Sequence, residues 1–288
     1  MKQPTKPPLL TLMQISDLHF GPPWIQEVAE AARQSAFDLG PDVMIVSGDL
    51  TQRAKRDQFQ AARTYLDSLP SIPTLVIPGN HDVPLYRVAE RWFRPHELYQ
   101  EIIQADLNPI LKLDQAVIVG LDSTAPRSAI SNGRIHRWQL DYCAEAFAGT
   151  PPEAARIVVA HHHFAPAPDS LRDSSMPHTK RAMMRFVELD VDLILGGHLH
   201  RSYIGNSLDF YPGTHREQGI IICQSGTTTS RRGRGREQEK NTFNLVRVYE
   251  EFIEITHYLY FDENDGFVAN SQHRFSRGRA LTNGPSES

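Results

Sequence analysis

Five short motifs in this sequence bring Asp, Asn and His side chains together at close spacing. In chain order they are Asp17-Leu18-His19, Gly48-Asp49, Gly79-Asn80-His81-Asp82, His161-His162-His163 and Gly197-His198-Leu199-His200. Carboxylate oxygens, imidazole nitrogens and an amide oxygen suit a borderline divalent or trivalent metal such as Mn, Fe, Zn or Ni. Residues two apart in an extended segment point to the same side, so Asp17 and His19 can face one site, as can His198 and His200. The motifs predict a metal centre, although Asp17 and His19 alone fit a solvated turn equally well.

Each motif directly follows an apolar run that is typical of a buried strand. The runs before the motifs are 9–16, 42–48, 73–79, 156–161 and 192–197, and two further runs are 116–122 and 219–226. Between them lie segments with apolar residues at the three-and-four spacing of helices, at 24–37, 57–69, 137–148 and 180–189. Open α/β sheets build their sites at the carboxyl ends of their strands, so we expect the motifs to meet at one edge.

The strand pattern also indicates the architecture. Continuous aliphatic strands are buried on both faces, which requires layers on both sides of a sheet. Segments 243–250 and 252–260 alternate apolar and polar residues and predict a hairpin. We therefore expect an α/β fold, a four-layered αββα sandwich with a mixed first sheet and a more antiparallel second sheet.

We expect a single domain over residues 1–269, followed by a polar tail over 270–288. Residues 83–106 form a helical excursion that is broken at Pro95, where it could cover a substrate or form a dimer contact.

Composition narrows the classes of partner. The 288 residues carry a formal net charge of −4, which gives no general attraction to nucleic acid or an anionic membrane, so local features must hold an anionic substrate. Neither a signal-peptide pattern nor a run of about 18 apolar residues is present, and we expect a cytoplasmic protein. Cys143 and Cys223 lie outside any metal-binding spacing, and buried free thiols fit that reducing compartment.

The motifs supply more ligands than one ion of this kind takes. The seven candidates are Asp17, His19, Asp49, Asn80, one of His161, His162 and His163, and then His198 and His200. Two ions that share a carboxylate fit this number. Asp49 is the candidate bridge, because it is a lone Asp on a short Gly-Asp turn between the two halves of the set.

Taken in order, the five motifs resemble those of the calcineurin-like metallophosphoesterases, over residues 9 to about 226. The segments SGDLTQ (47–52) and PGNHD (78–82), with the triple His, are most similar to the class III cyclic nucleotide phosphodiesterases. The resemblance implies two metal ions. It assigns one ion to Asp17, His19, Asp49 and His200, and the other to Asp49, Asn80, His162 and His198.

Further roles follow from the same resemblance. His162 is preferred because family members carry His-x-Pro here, and Phe164 then stands in the place of the proline. His81 would lie above the metals, stabilise the phosphate and protonate the leaving oxygen, while Asp82 would orient His81. The implied enzyme is a dinuclear-metal phosphoesterase that hydrolyses phosphodiester bonds, of 3′,5′-cyclic nucleotides first, by in-line attack of a hydroxide that bridges the two ions.

Several alternatives stay open. A phosphomonoesterase, a broad or nucleic-acid-directed phosphodiesterase and a non-catalytic scaffold share this fold, although a scaffold would be expected to lose ligands. The expected partner is a small-molecule phosphoester rather than a membrane; nucleic acid is less favoured, and a homodimer stays open.

Two groups of arginines are interpreted as solvated surfaces, with phosphate or RNA contact as the less favoured alternatives. They are Arg87, Arg91 and Arg94, over apolar Val88, Trp92 and Phe93, and Arg231, Arg232, Arg234 and Arg236 in the loop 230–241. Both segments are candidates for selecting the leaving group.

Overall fold

The fold is known from a computed structural model, which describes residues 6–128, 132–166, 175–211, 219–264 and 266–277. Over these residues the strands form two six-stranded sheets. The first sheet has the spatial order β12 (Gly266–Ser276), β11 (Phe252–Phe261), β10 (Thr242–Val248), β1 (Leu10–Ile15), β2 (Val43–Val46) and β3 (Thr74–Val76). The second has the order β4 (Ile110–Lys112), β5 (Ala116–Leu121), β6 (Ala155–Ala160), β7 (Leu193–Gly196), β9 (Ile221–Gln224) and β8 (Tyr203–Asn206).

The helices connect these strands and cover the sheets. They are α1 (Gln26–Leu39), α2 (Arg56–Ser68), α3 (Val88–Phe93), α4 (Glu97–Ile102), α5 (Arg137–Phe147), α6 (Thr179–Glu188) and the single turn α7 (Ser207–Phe210). The four long helices agree with the predicted segments to within two residues at each end. Helix α1 ends at Gly40, which adopts the left-handed conformation that glycine takes without a steric penalty.

Apolar residues on alternating strand positions fill three buried layers. Met13 faces helices α1 and α2, whereas its neighbour Leu12 faces the second sheet. Ile157 packs in the same central layer, and Val158 faces helices α5 and α6. Alternating sides of each strand therefore serve two layers, and the predicted α/β sandwich with four layers is confirmed.

Both sheets are mixed. The antiparallel hairpin lies in the first sheet, and not in a second, more antiparallel sheet as expected. Strands β1, β2 and β3 are parallel, as are β5, β6, β7 and β9. The predicted hairpin is present as β10 and β11, but β10 pairs with β1, with Leu12 opposite Val246. The hairpin thus extends the first sheet, because β1 would otherwise present an unpaired edge.

The chain beyond β11 also differs from the expectation. Strand β12 pairs with β11 from Gly266 to Ser276, so residues 270–276 belong to the sheet and not to a tail. Most of their side chains are exposed or partly exposed, because an edge strand can be polar on its outer face, and such a strand lacks a clear apolar pattern. Residues 278–288 of the predicted tail lie outside the described residues.

The excursion at 83–106 contains helices α3 and α4 on either side of Pro95, as predicted. Its arginines do not form a solvated face over a packed apolar one. Arg87 donates to the carbonyl oxygen of Ala54 (2.7 Å), whereas Trp92 and Phe93 are 49% and 75% exposed. The aromatic side chains therefore lie outward, because this helix is too short to cover a sheet.

A buried polar network joins the two sheets directly beneath the candidate site. Gln14 of β1 donates through Nε2 to Ser47 Oγ (3.0 Å) and to the carbonyl oxygen of Gly196 at the end of β7 (2.8 Å). Asn244 donates to Gln14 Oε1 (2.9 Å) and accepts a hydrogen bond from His257. Buried polar groups need such partners, so the network aligns the ends of the strands in the two sheets.

None of the helices in the described ranges is both long enough and apolar enough to span a bilayer.

Candidate metal centre

The five motifs meet at one edge of the molecule, where strands from both sheets end. Strands β1, β2 and β3 of the first sheet lead to Asp17, Asp49 and Asn80, and β6 and β7 of the second lead to His161 and His198. The site thus lies between the sheets, at the carboxyl ends of parallel strands, as the order of motifs and strands predicts.

The first group of side chains consists of Asp17, His19, Asp49 and His200, whose ligand atoms all lie within 4.8 Å of one another. His19 Nε2 and His200 Nε2 are 3.0 Å apart, and His200 Nε2 is 3.1 Å from Asp17 Oδ1. Asp17 Oδ1 and Asp49 Oδ2 are buried and accept no hydrogen bond from any described residue. Buried carboxylate oxygens of this kind require a cation.

The spacing of the two nitrogens fits one metal ion between them. Nitrogens that each lie about 2.1 Å from an ion, at right angles to each other, are about 3.0 Å apart. The donors of this first group therefore have both the chemistry and the spacing that a borderline metal needs.

The second group begins at the same Asp49. Its Oδ2 atom is 3.7 Å from His19 Nε2 and 3.3 Å from His161 Nε2, so it lies between the first group and a second one. Its Oδ1 atom accepts a hydrogen bond from the backbone nitrogen of His81 (2.8 Å), which fixes the carboxylate. His198 Nδ1 lies 2.9 Å from Asn80 Oδ1. This geometry suits a carboxylate that bridges two ions.

The three consecutive histidines have different contacts. His161 Nδ1 donates to the carbonyl oxygen of Ser47 (2.8 Å), which leaves Nε2 directed at Asp49. His162 instead contacts Ser123 Oγ through Nδ1 (2.8 Å). The geometry therefore favours His161 over the predicted His162 as the neighbour of Asp49, since His161 is the first residue after β6 and turns between the sheets. The sequence would also have predicted His161 if the His-x-Pro motif of the family had been aligned with His161-His162-His163, so that His163 stands in the place of the proline.

Five of the candidate ligands share an uncommon backbone conformation. Asp17, His19, Asp49, His198 and His200 have φ angles of 53°, 51°, 54°, 74° and 55°, and they are five of the nine non-glycine residues with positive φ in the described chain. Such residues cost about 1–3 kcal/mol each and persist where the surrounding structure enforces them. Here the His19 N–H donates to Asp49 O (3.0 Å), and the His198 N–H donates to Asp17 Oδ2 (3.0 Å). The strain is concentrated at the site.

Two glycines make room for the carboxylates. A Cβ atom on Gly79 would lie 2.8 Å from Asp49 Cγ and closer still to its Oδ1, and one on Gly197 would lie 2.5 Å from Asp17 Oδ2. Real Cβ atoms do not approach other atoms this closely. The glycines that precede Asn80 and His198 are therefore required by close approach to the two buried carboxylates.

The protonation states also favour a cation. Burial raises the pKa of Asp17, but His200 and His19 outweigh it and hold this pKa well below 3.8. Burial lowers the pKa of His19 to about 4 and that of His198 to about 3, so both rings are neutral. Against the effect of burial, Asp49 raises the pKa of His161 to about 9. The pocket thus combines ionised carboxylates with the neutral rings of His19 and His198, and it favours positive charge beside Asp49.

His81 lies at the mouth of the site, with its ring centroid 4.9 Å from that of His19. Its Nδ1 atom donates to the carbonyl oxygen of Gln52 (2.9 Å), and its Nε2 atom faces Arg232 Nη1 at 3.1 Å. The ring is therefore oriented by Gln52, and not by Asp82 as predicted.

Asp82 is buried and has a different set of partners. Its carboxylate accepts hydrogen bonds from the backbone nitrogens of Leu50 (3.1 Å), Thr51 (2.8 Å) and Gly79 (2.9 Å). Burial and the charge of Asp49 raise its pKa to about 7. Asp82 therefore ties the loop after β3 to the loop after β2 and does not contact the ring of its neighbour.

Residues after β9 complete the site, and the threonines among them were not predicted from the sequence. Thr227 Oγ1 donates to the carbonyl oxygen of Asp17 (2.7 Å), and Thr229 Oγ1 donates to that of Leu18 (2.9 Å). Arg232, interpreted as part of a solvated loop, accepts a hydrogen bond from His200 Nδ1 (2.9 Å) through its carbonyl oxygen. The threonines could have been predicted from their position, because they follow strand β9, which ends at the same edge as the strands of the motifs.

The site lies at the strand ends of a two-sheet sandwich and consists of Asp, Asn and His side chains. This arrangement is typical of metal-dependent hydrolases. Residues 10–202 match the family model for the calcineurin-like phosphoesterases, and the chain belongs to this family. The fold of this family uses two divalent metal ions, and the Asp–His group provides a candidate site for them. The predicted family and the predicted pair of metal ions are confirmed.

Individual relatives are distant. A zebrafish (Danio rerio) transmembrane protein with a metallophosphoesterase domain is 27% identical over 199 residues, covering 66% of this chain and 40% of that protein. A probable cyclic nucleotide phosphodiesterase from Synechococcus is 24% identical over 217 residues, covering 71% of this chain and 79% of that protein. A purple acid phosphatase from yellow lupin (Lupinus luteus) superimposes with a TM-score of 0.68 at 13% identity, over 96% of this chain and 55% of that one. The chain thus spans less than half of the zebrafish relative, and the lupin enzyme indicates the fold alone.

Proposed function

We propose that this chain is a metal-dependent phosphodiesterase whose substrates are 3′,5′-cyclic nucleotides. The observation that carries the proposal is the buried convergence of two carboxylates and two imidazoles, Asp17, Asp49, His19 and His200, on one point. The similarity to a probable cyclic nucleotide phosphodiesterase from Synechococcus supports the choice of substrate.

We assign two metal positions to the two groups of side chains. Asp17, His19, Asp49 and His200 would hold one ion, and Asp49, Asn80, His161 and His198 would hold the other. In this assignment His161 takes the place predicted for His162. Mn, Fe, Zn and Ni all suit these donors. When bound, such ions acidify water and neutralise charge that develops on the phosphate.

The side chains of the protein keep these donors ready. His200 donates through Nδ1 to Arg232 O and His161 donates through Nδ1 to Ser47 O, so the Nε2 atom of each ring faces the site. Outer hydrogen bonds of this kind set the tautomer and orientation of a ligating histidine. The backbone N–H of His81 holds Oδ1 of Asp49, so Oδ2 is the oxygen that would be available to a metal ion.

His81 is positioned to act on the substrate instead of on a metal. Its Nδ1–H is held by Gln52 O, and its Nε2 atom faces the mouth. A proton that leaves through Nε2 to the departing oxygen therefore returns the ring to the neutral Nδ1–H tautomer that the contact with Gln52 O requires. Before that transfer, the charged ring would stabilise the phosphate as its negative charge grows.

The test is a substrate panel with protein reconstituted in Mn²⁺. We expect the highest kcat/KM for 3′,5′-cyclic nucleotides over 2′,3′-cyclic nucleotides, nucleoside monophosphates, glycerophosphodiesters and single-stranded nucleic acid, and loss of activity with chelator. Faster cleavage of monophosphates would replace the proposal with a phosphomonoesterase. Two bound ions without turnover on any phosphoester would indicate a non-catalytic scaffold.

The predictions on partner, oligomeric state and cellular compartment stay proposals. A small-molecule phosphoester is the proposed partner, and nucleic acid is an arm of the panel. The exposed Trp92 and Phe93 support a homodimer contact or a cover for the substrate. Cys143 and Cys223 are buried free thiols, which supports a reducing compartment such as the cytoplasm.

A further inference from the structure

The loop 230–241 reaches the candidate site because its first residues are fixed. Ser230 forms a β-bridge with Trp24, and its carbonyl oxygen accepts a hydrogen bond from Asn241 Nδ2 (2.9 Å). The backbone nitrogen of Arg231 donates to Pro23 O (2.9 Å), and the Arg231 side chain is exposed. These contacts hold the next residue, Arg232, against the site.

Arg232 contacts the site through both its backbone and its side chain. Its carbonyl oxygen accepts from His200 Nδ1 (2.9 Å). Its guanidinium Nη1 lies 3.0 Å from Gln52 Oε1 and 3.1 Å from His81 Nε2. A half-buried guanidinium thus lies beside the imidazole nitrogen that faces the mouth.

The charges around Arg232 point to an anionic ligand. No described carboxylate forms an ion pair with it. Burial lowers the pKa of Arg232, Asp49 and Asp17 raise it, and the nearby charges of Arg234 and Arg53 lower it further. The Arg53 guanidinium stacks over the ring of Tyr86, 5.0 Å from its centroid. Cations that converge at a mouth without a paired carboxylate are stabilised when an anion binds there.

We propose that Arg232 binds a non-bridging oxygen of the substrate phosphate, next to the oxygen that contacts His81. This inference rests on the proposed function, since it concerns a phosphate held at the metal centre. A guanidinium provides donors in a planar fork that matches phosphate oxygens. Because Arg232 Nη1 and His81 Nε2 are 3.1 Å apart, one phosphate group can contact both. On binding, Arg232 would replace its contact with the neutral ring of His81 by a contact with a charged phosphate oxygen.

The experiment compares Arg232→Gln, Arg232→Lys and the control Arg231→Gln, which removes the same charge from an exposed neighbour. Steady-state kinetics on the best substrate of the panel give KM and kcat. Calorimetric titration with inorganic phosphate gives binding without turnover, and elemental analysis gives the metal content. The side-chain changes keep the Arg232 carbonyl that holds His200, so metal content should not change.

For Arg232→Gln we expect the Kd for phosphate and the KM to rise about 10- to 100-fold, the range for losing a hydrogen bond to a charged group. Arg232→Lys should recover part of this loss, because it keeps the charge without the fork. Arg231→Gln should behave as the wild type. Unchanged phosphate binding in Arg232→Gln, or loss of metal ions in that variant, would overturn the inference. If the wild type binds phosphate but cleaves nothing, the proposed function fails while the titrations still decide the role of Arg232.

Discussion

Replacing Gly79 by Ala tests whether Asp49 is the shared carboxylate of the site. The new Cβ would lie 2.8 Å from Asp49 Cγ and closer to its Oδ1 and backbone nitrogen. Carbon atoms normally approach to about 3.5 Å, so the carboxylate must move by at least about 0.7 Å. It cannot rotate freely away, because its Oδ1 atom is held by the His81 N–H and the backbone is blocked as well.

This displacement of the carboxylate is large compared with the tolerance of metal–ligand distances. Its cost in the free energy of unfolding is modest. Ligand distances are held to about 0.2 Å in metal sites, and a misplacement of about 1 Å can cost about 10²-fold in rate. Overpacking a buried position costs about 1–3 kcal/mol. We therefore expect Gly79→Ala to stay folded but to lose both ions on dialysis and to lose activity by about 10²-fold or more.

Metal content by elemental analysis and the thermal midpoint with and without Mn²⁺ check this expectation. The matched control is Gly266→Ala, because a Cβ there meets only Asn264 O, at 3.4 Å. The control should keep the wild-type metal content and stabilisation by metal. A Gly79→Ala variant that retains two ions with wild-type affinity would show that Asp49 does not occupy the shared position.

Two variants at the metal centre and one in the buried network beneath it can be tested in the same way. Asp49→Asn should lose most of both ions while its apo form stays folded, because the neutral amide still accepts the His81 N–H; elemental analysis that finds one ion at full occupancy would argue against a shared ligand. His81→Ala should retain both ions and lose turnover by about 10²- to 10⁴-fold, whereas a matching drop in metal content would make His81 a ligand. Burial and His273 lower the pKa of His257 from 6.5 to about 4, so the neutral ring favours the folded state above pH 6.5 and this stability is lost as the pH falls from 6.5 to 4. At about 1.36 kcal/mol per pH unit, the loss is about 2 kcal/mol at pH 5, and urea unfolding of His257→Gln should lack this part of the pH dependence seen in the wild type.

Much of the fold could be predicted from local patterns. The long helices and most strands follow from apolar spacing, since a segment that buries one face of a helix or both faces of a strand must repeat its apolar residues accordingly. Strand β12 could not be predicted in this way. Its residues from Asn270 to Ser276 are mostly polar, and their place in the sheet depends on pairing with β11, which a local pattern does not encode.

The type of chemistry could be inferred from the order and spacing of residues alone. Five strand ends with Asp, Asn and His side chains are enough to indicate two metal ions, because parallel strands bring their carboxyl ends to one edge. The family is indicated by the resemblance of the same five motifs, in this order, to those of the calcineurin-like metallophosphoesterases. Asp17, Asp49 and His200 needed no structure to be chosen.

The contacts between the site residues and their neighbours depend on the three-dimensional packing. The side chain that faces Asp49 is His161 and not His162. The ring of His81 is oriented by Gln52 and not by Asp82. The side chain of Arg232 contacts His81 at the site. These choices depend on how two sheets pack against each other, with contacts such as that between His81 and Arg232 spanning about 150 residues of chain. Spacing along the chain tells which residues can turn towards an edge, and packing across the sheets decides which of them do.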